Sequence, residues 1–135
     1  MIIHSEARLD QKFIRMAKLM NIHLNHFPKH EKFGLAQEIR CAAYDVYNYI
    51  VEAQKRYYKK TTLVNLDIRH EQLRMLVRLA YELGYFGFKN GTRLEKAYEE
   101  LAEHRYLALS RLIDELGRMI GGWVVSERKV VREVS

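Results

Sequence analysis

The stretch from Asp67 to Tyr85, DIRHEQLRMLVRLAYELGY, decides the fold and also carries the first candidate site. On a helical wheel at 100° per residue, its apolar side chains cover more than half of the circumference. One arc is formed by Leu73, Leu76, Val77, Ala80 and Leu83, and Ile68, Met75 and Leu79 widen it. A helix this apolar is expected to pack on two sides.

The narrow polar strip of the same helix carries Arg74 and Arg78, four residues apart, beside two tyrosines. Two guanidinium groups on one face suit a phosphate-bearing or acidic partner. The alternative is that these arginines pair with Glu71, with Glu82 or with a neighbouring helix.

The chain contains few helix-breaking residues, since its 135 residues include one proline and seven glycines. Apolar periodicity predicts helices over about 5–26, 29–60, 63–84 and 94–123. The expected breaks are Pro28, the polar residues 60–62, and glycines 84–87 followed by the turn pair Asn90-Gly91. Thr92 to Glu95 has the spacing of a capping box for the fourth helix.

Four long helices with short links and no alternating strand pattern predict an all-α protein, an up-down-up-down four-helix bundle. We assign residues 1–126 to the bundle domain and 127–135 to a frayed, basic C-terminal tail. The formal net charge of +6 favours an anionic partner, most simply nucleic acid. No signal peptide and no apolar run long enough for a membrane span is evident, so the expected location is cytoplasmic, without a membrane partner.

Basic residues recur on several helices. Beyond helix 3, the candidate nucleic-acid contacts are Lys55, Arg56, Lys59 and Lys60 near the end of helix 2, and Arg111 and Arg118 on helix 4. Arg8, Lys12 and Arg15 flank the apolar stripe of helix 1. Tyr57 and Tyr58 could stack on unpaired bases, or Tyr57 could belong to the core while the lysines solvate a helix end.

Catalytic and metal-binding patterns are not found in the sequence. Pro28 separates His26 from His30, and the Glu-x-x-His spacing of a di-metal bundle is not repeated on a second helix. The single cysteine, Cys41, lies on an Ala-rich helical face and is expected to be a buried, inert thiol in a reducing compartment. We therefore predict no catalytic residue, no metal and no cofactor, and histidines that are exposed or locally bonded.

Two features of the fourth helix need a structural partner. Arg105 falls within the apolar stripe, which is costly unless a carboxylate or another subunit satisfies it. Together with the two-sided apolarity of helix 3, it hints at oligomerisation. Gly117, Gly121 and Gly122 each cost about 1 kcal/mol relative to alanine in a helix. They imply a close helix approach, or a helix end near Gly121-Gly122, with Trp123 covering the open end of the bundle.

Four segments of the chain carry a family resemblance: FPKHEKFGLAQEIR at 27–40, Glu52-Ala53 with the basic run after it, LRMLVRLA at 73–80 and DELGRMIGGW at 114–123. Together they resemble the accessory variability determinant (Avd) family of diversity-generating retroelements, within the wider family that includes proteins of 23S rRNA intervening sequences. The intervening-sequence branch commonly has an Asn-Ile-Ala-Glu-Gly-like segment on helix 2. Here NYIVEA at 48–53 departs from it, which favours the retroelement branch.

The resemblance implies a homopentameric barrel of four-helix bundles that associates with reverse transcriptase and template RNA, without catalysis of its own. Arg74 and Arg78 match the paired arginines of the family's third helix. RNA is the expected nucleic acid, with DNA as a variant of the same chemistry. One rival is an intervening-sequence protein acting outside any retroelement. Another is a purely structural oligomer or a small-molecule-binding bundle, in which Arg74 and Arg78 are buried interface pairs. A metal-dependent bundle enzyme is a more distant rival.

Overall fold

The computed structural model describes residues 4–95 and 98–134, with side chains over 8–95 and 98–130. This part of the chain folds into four α-helices, which confirms the predicted all-α class. Their bounds are α1 His4–Leu24, α2 Leu35–Lys55, α3 Lys60–Glu82 and α4 Tyr98–Val134. Single 3-10 turns lie at Lys29–Glu31 and Tyr85–Gly87, and a small hairpin pairs β1 Phe88–Lys89 with β2 Thr92–Arg93.

The registers of side-chain contacts show that neighbouring helices run antiparallel. Between α2 and α3, Thr62 donates a hydrogen bond to Glu52 and Arg69 donates one to Asp45, so later residues of one helix contact earlier residues of the other. The same holds for α1 and α2, where Arg40 donates to Asn21 and to Asn25 and where Gln54 donates to Asp10. With α4 packed against both α3 and α1, the order around the bundle is up-down-up-down, as predicted.

The core runs along the axis of the bundle and is formed by the stripes that periodicity predicts. Its largest fully buried side chains are Phe86, Met16, Met20, Ile39, Ile50, Leu63, Leu66, Leu73, Leu109, Ile113, Leu116 and Ile120. Burying such side chains stabilises the fold by about 1.5–3 kcal/mol each. Trp123 is half-buried against this core.

Helix α3 has two apolar sides, as predicted. Within the protomer, the core covers one of them and the other is exposed to solvent. Leu73, Val77 and Ala80 are buried, but Leu83, expected on the same arc, is about half exposed. We call the uncovered side the outer apolar stripe of α3. It comprises Val64, Ile68, Met75, Leu79 and Leu83, whose side chains are 44% to 53% exposed.

The breaks around α2 lie a few residues from their predicted positions. α2 begins at Leu35 because residues 29–31 form a separate 3-10 turn after Pro28. The break between α2 and α3 falls at 56–59, so the polar residues 60–62 belong to α3. Thr62 is buried, with its hydroxyl donating to Glu52 at 2.7 Å, and this contact lets α3 begin a turn early.

The predicted capping box at Thr92 to Glu95 is wrong, because Thr92 pairs in the hairpin with Lys89. The turn itself is confirmed: Asn90 and Gly91 both have positive φ, 52° and 83°, as a tight hairpin connection requires. Gly84 likewise has φ 81° directly after α3, in the left-handed conformation expected where a helix ends.

Arg105 is satisfied within the protomer by backbone oxygen atoms, and no carboxylate among the described residues pairs with it. Its Nη1 donates to the carbonyl of Phe88 at 2.8 Å and more weakly to that of Phe86 at 3.3 Å. These carbonyls are free to accept because the 3-10 turn at 85–87 has just ended there. Arg105 thus fastens the α3–α4 connection to α4 and gives no evidence for oligomerisation.

The glycines of α4 do not mark a helix end, since the helix continues through Gly121-Gly122 to Val134. Residues 127–134 continue this helix, so the backbone shows no break at the predicted boundary after 126, and the division into a bundle domain and a frayed tail stays a prediction. Ser135 lies outside the described residues. A close approach exists only at Gly117, where a Cβ would lie 2.6 Å from Cε1 of His70; at Gly121 and Gly122 no described atom lies within 4 Å of that position.

Candidate functional site

The two arginines of α3 share a face of the helix but differ in their surroundings. Arg74 donates from Nε to Glu71 Oε2 at 3.1 Å and makes a second contact from Nη2 to the same carboxylate. This hydrogen bonding lowers the pKa of Glu71 and raises that of Arg74. The alternative of local pairing therefore holds for Arg74. Arg78 is exposed and makes no ion pair with any side chain that the structure describes.

The two tyrosines expected beside the arginines are structural. Tyr81 stacks on Tyr106 of α4, with ring centroids 4.3 Å apart and planes within 9°. Tyr85 lies edge-on to Phe27, with centroids 5.6 Å apart. Both rings are half-buried and pack α3 and the turn after it against their neighbours. The guanidinium groups are therefore the groups of this strip that can bind a partner.

The basic segment between α2 and α3 contains both anchored and free cations. Lys59 caps the end of α2, donating from Nζ to the carbonyls of Arg56 at 2.7 Å and of Ala53. Arg56 lies 4.0 Å from Glu52, a weak contact of two exposed groups. Lys55 and Lys60 are exposed and form no ion pair among the described residues.

Between those cations lie Tyr57 and Tyr58, whose side chains are 85% and 81% exposed. The interpretation that Tyr57 belongs to the core is therefore wrong. The apolar stripe of α2 ends at Ala53, and the chain leaves the helix at Arg56 before Tyr57 can turn inward.

Helices α1 and α4 bring together cations that sequence reasoning had placed apart. Lys12 forms an ion pair of 2.7 Å with Glu115, and a groove of about 270 Å³ beside it is lined by Arg8, Gln11, Lys12, Arg15 and Met119. The hydrogen bond from Lys12 lowers the pKa of Glu115, and the charges of Arg118 and Arg15 lower it further. Arg118 is exposed one turn beyond Glu115 on α4, and Arg111 is exposed on the same helix.

Sequence reasoning missed this convergence, although it identified each of the basic residues. The usable signal was topology, because the first and last helices of an up-down-up-down bundle are antiparallel neighbours. Residue 12 then faces the region of residue 115, and Arg8 and Arg15 fall one turn to either side.

The histidines and the cysteine differ in part from expectation. His70 is buried and its Nε2 donates to the carbonyl of Ile113 at 2.8 Å, while His26 Nδ1 accepts the backbone N–H of Asn90. His23 is buried with neither ring nitrogen bonded to the part of the chain described, and burial lowers its pKa to about 4. Cys41 is exposed, so the prediction of a buried thiol is wrong.

Neither a metal cluster nor a membrane-spanning helix is found in the described residues. No group of three or more His, Cys, Asp or Glu side chains there is arranged to hold an ion. No helix within 4–95 or 98–134 combines the length and apolarity needed to cross a bilayer.

Comparison with known proteins agrees with the motifs on helices α2, α3 and α4. A family model described as bAvd-like matches residues 8–127, which is most of the chain. No curated protein and no solved structure matches it significantly. The matched range takes in the arginine strip of α3, the basic segment at 55–60 and the α1–α4 groove. This chain therefore belongs to the bAvd-like family of Avd-type accessory proteins.

Proposed function

We propose that this protein is a non-enzymatic accessory subunit of a diversity-generating retroelement. In that role it binds reverse transcriptase and template RNA through basic surfaces and supports mutagenic cDNA synthesis. Family membership supports the accessory role and the choice of reverse transcriptase as the protein partner. The chain supplies binding surfaces and no catalytic group.

The proposed RNA binding is supported mainly by a set of exposed cations that have no carboxylate partner among the described side chains. They lie at the end of α2, on α3 and on α4, and are Lys55, Lys60, Arg78, Arg111 and Arg118. Cations that are not neutralised locally attract phosphates and release counterions on binding. Such binding is strong at low salt and reads RNA shape more than sequence.

Arg74 contributes to the same strip despite its ion pair. The pair with Glu71 is exposed, with 39% and 56% of the two side chains accessible, and exposed pairs of this kind are worth less than about 1 kcal/mol. A phosphate can therefore replace the carboxylate at small cost. Arg78, one turn away, is the stronger contributor because its guanidinium has no such competitor.

The outer apolar stripe of α3 supports assembly, and we propose the homopentamer that the family resemblance implies. Five half-exposed aliphatic side chains aligned along one helix form a patch that water solvates poorly. A ring would bury this stripe and repeat each basic surface around an axis. Weak single contacts with RNA then become a multivalent one.

The decisive test compares two variants that lose the same charge from the same helix. Arg78→Ala removes an exposed arginine without a partner, and Arg69→Ala removes one whose Nε donates to Asp45 at 2.9 Å. Binding of a structured RNA is measured across a salt series. We expect Arg78→Ala to weaken binding and to reduce the slope of log affinity against log salt concentration by about the value of one phosphate contact. Arg69→Ala should leave both the affinity and the slope near wild type.

The double variant Arg74→Ala, Arg78→Ala extends this test, with native mass spectrometry run in parallel. Loss of RNA affinity with an unchanged oligomer mass would support the proposal. Unchanged RNA affinity would move the RNA site to another surface and leave the arginines to the polymerase or to a subunit contact. A split oligomer, with a wild type that binds no RNA, would favour the purely structural alternative.

Assembly through α3 is tested with Ile68→Asp, a change on the outer apolar stripe. Because Ile68 is about half exposed in the protomer, the variant is expected to stay folded and to lose the oligomer. Val125→Asp is the matched control, since Val125 is equally exposed but lies on α4. A pentamer that persists in Ile68→Asp would refute this interface.

A further inference from the structure

The link between α2 and α3 presents two aromatic rings that have no role inside the protomer. Tyr57 and Tyr58 are 85% and 81% exposed, the first and third most exposed of the large hydrophobic side chains described. Their ring centroids are 4.8 Å apart and their planes meet at 86°. In this edge-to-face arrangement at least one face of each ring stays open to solvent.

The backbone that carries this tyrosine pair is held in place. Lys59 bridges across the link to the carbonyl of Arg56, and Arg56 Nη1 lies 3.4 Å from the hydroxyl of Thr62. That hydroxyl donates to Glu52, so the end of α2 and the start of α3 are joined below the tyrosines. A partner that binds the rings therefore has little backbone entropy to remove.

The charge around the tyrosine pair indicates the kind of partner. The six residues KRYYKK at 55–60 carry four cations and no carboxylate. Glu52, the nearest acid in contact with the segment, is already bonded to Thr62. An apolar protein groove closing over the rings would have to desolvate these cations, which is unfavourable. A partner that has phosphates to pair with the cations and flat apolar faces to cover the rings fits both features of this segment.

We propose that Tyr57 and Tyr58 form a stacking platform for unpaired bases of a single-stranded nucleic acid, with Lys55 and Lys60 holding its phosphates. Duplex RNA does not fit the platform, since its base faces are covered by stacking within the helix. The inference rests on the proposed RNA binding and deepens it. It assigns the single-stranded part of the template to the α2–α3 link and leaves folded RNA to the other basic surfaces.

The test uses the full chain with two probes, an unstructured 16-nucleotide RNA and its duplex with the complementary strand. The double variant Tyr57→Leu, Tyr58→Leu removes the aromatic faces but keeps apolar side chains of similar exposure, and circular dichroism confirms its fold. We expect its affinity for the single strand to fall at least about tenfold, as loss of one or two stacked bases predicts. Its affinity for the duplex should stay at the wild-type level.

Two matched variants separate stacking from charge. Tyr57→Phe, Tyr58→Phe keeps both rings and should bind the single strand like wild type. Lys55→Ala, Lys60→Ala should weaken binding and reduce the salt slope by about 1.4, as expected for two lost phosphate contacts on a single strand. The leucine variant should keep the wild-type slope, because stacking releases no counterions.

Single-strand affinity equal to wild type in the leucine variant would overturn the platform, and duplex binding would show that the proposed RNA role survives. A wild type that binds neither probe would overturn both. If the leucine variant bound both RNAs normally but failed to retain reverse transcriptase in a pull-down, the tyrosine pair would be a protein-docking site and the platform would again be refuted.

Discussion

Substitution of Gly117 by alanine gives the sharpest test of how α3 and α4 pack. A Cβ at this position would lie 2.6 Å from Cε1 and 3.2 Å from Nε2 of His70, closer than van der Waals contact allows. The ring cannot move away freely, because it is buried and its Nε2 donates to the carbonyl of Ile113 at 2.8 Å. The added methyl must therefore displace a buried, hydrogen-bonded side chain.

Three contributions set the size of the effect on the free energy of unfolding. Overpacking costs about 1–3 kcal/mol, and weakening the buried hydrogen bond costs about 1 kcal/mol. Alanine gains back about 1 kcal/mol of helix propensity relative to glycine. We expect Gly117→Ala to be destabilising by about 1–3 kcal/mol. Gly122→Ala, five residues on in the same helix with no described atom near its Cβ, should be stabilising by about 1 kcal/mol.

Urea denaturation followed by circular dichroism, at one fixed protomer concentration, measures both changes. A third variant isolates the clash: in a His70→Ala background, Gly117→Ala should become neutral or stabilising because the ring is gone. Equal stability of Gly117→Ala and Gly122→Ala would refute the packing described for His70. The same conclusion would follow if the His70→Ala background left the effect of Gly117→Ala unchanged.

Three further predictions concern the buried and exposed polar groups. Arg105→Met should lower the free energy of unfolding by about 1–3 kcal/mol in urea denaturation, because the carbonyls of Phe86 and Phe88 lose their donor. His23 titrates at about 4 when folded and near 6.5 when unfolded, so its contribution to stability is complete above pH 6.5 and is lost as the pH falls towards 4. Denaturation at pH 4.5, 5.5 and 7 should show this slope, up to about 1.4 kcal/mol per pH unit, and His23→Leu should remove it. Arg74→Ala should change the melting temperature little, since its ion pair with Glu71 is exposed.

The helices and most of the core could be predicted from the sequence because each depends on local periodicity. Leu9, Phe13, Met16 and Met20 recur at spacings of three and four, and all are buried in α1. The left-handed turn at Gly84 and the turn at Asn90-Gly91 follow from backbone preferences of those residues. Boundaries were less predictable, because side chains distant in sequence decide them, as Thr62 and Glu52 do at the start of α3.

The candidate site was predictable in its residue types and only partly in its arrangement. The sequence marked Arg74 and Arg78 as one strip, but the hydrogen bond to Glu71 that distinguishes them depends on side-chain geometry. Cys41 was expected on the buried side of α2, and a core position was one of two alternatives for Tyr57; both side chains are exposed. Burial of Cys41, at the edge of the stripe, depends on the angle at which the next helix crosses, and Tyr57 lies beyond the end of α2; periodicity contains neither fact.

The sequence by itself determined the all-α class, the antiparallel order, the family and the positive charge, because these follow from local spacing, composition and motif identity. Only the tertiary structure decided which charges and rings are free. It joined Lys12 to Glu115 across helices α1 and α4, seated His70 against Gly117, and satisfied Arg105 with backbone carbonyls. Each of these contacts joins residues at least 17 positions apart, and it forms only when packing of the core fixes the helices against one another.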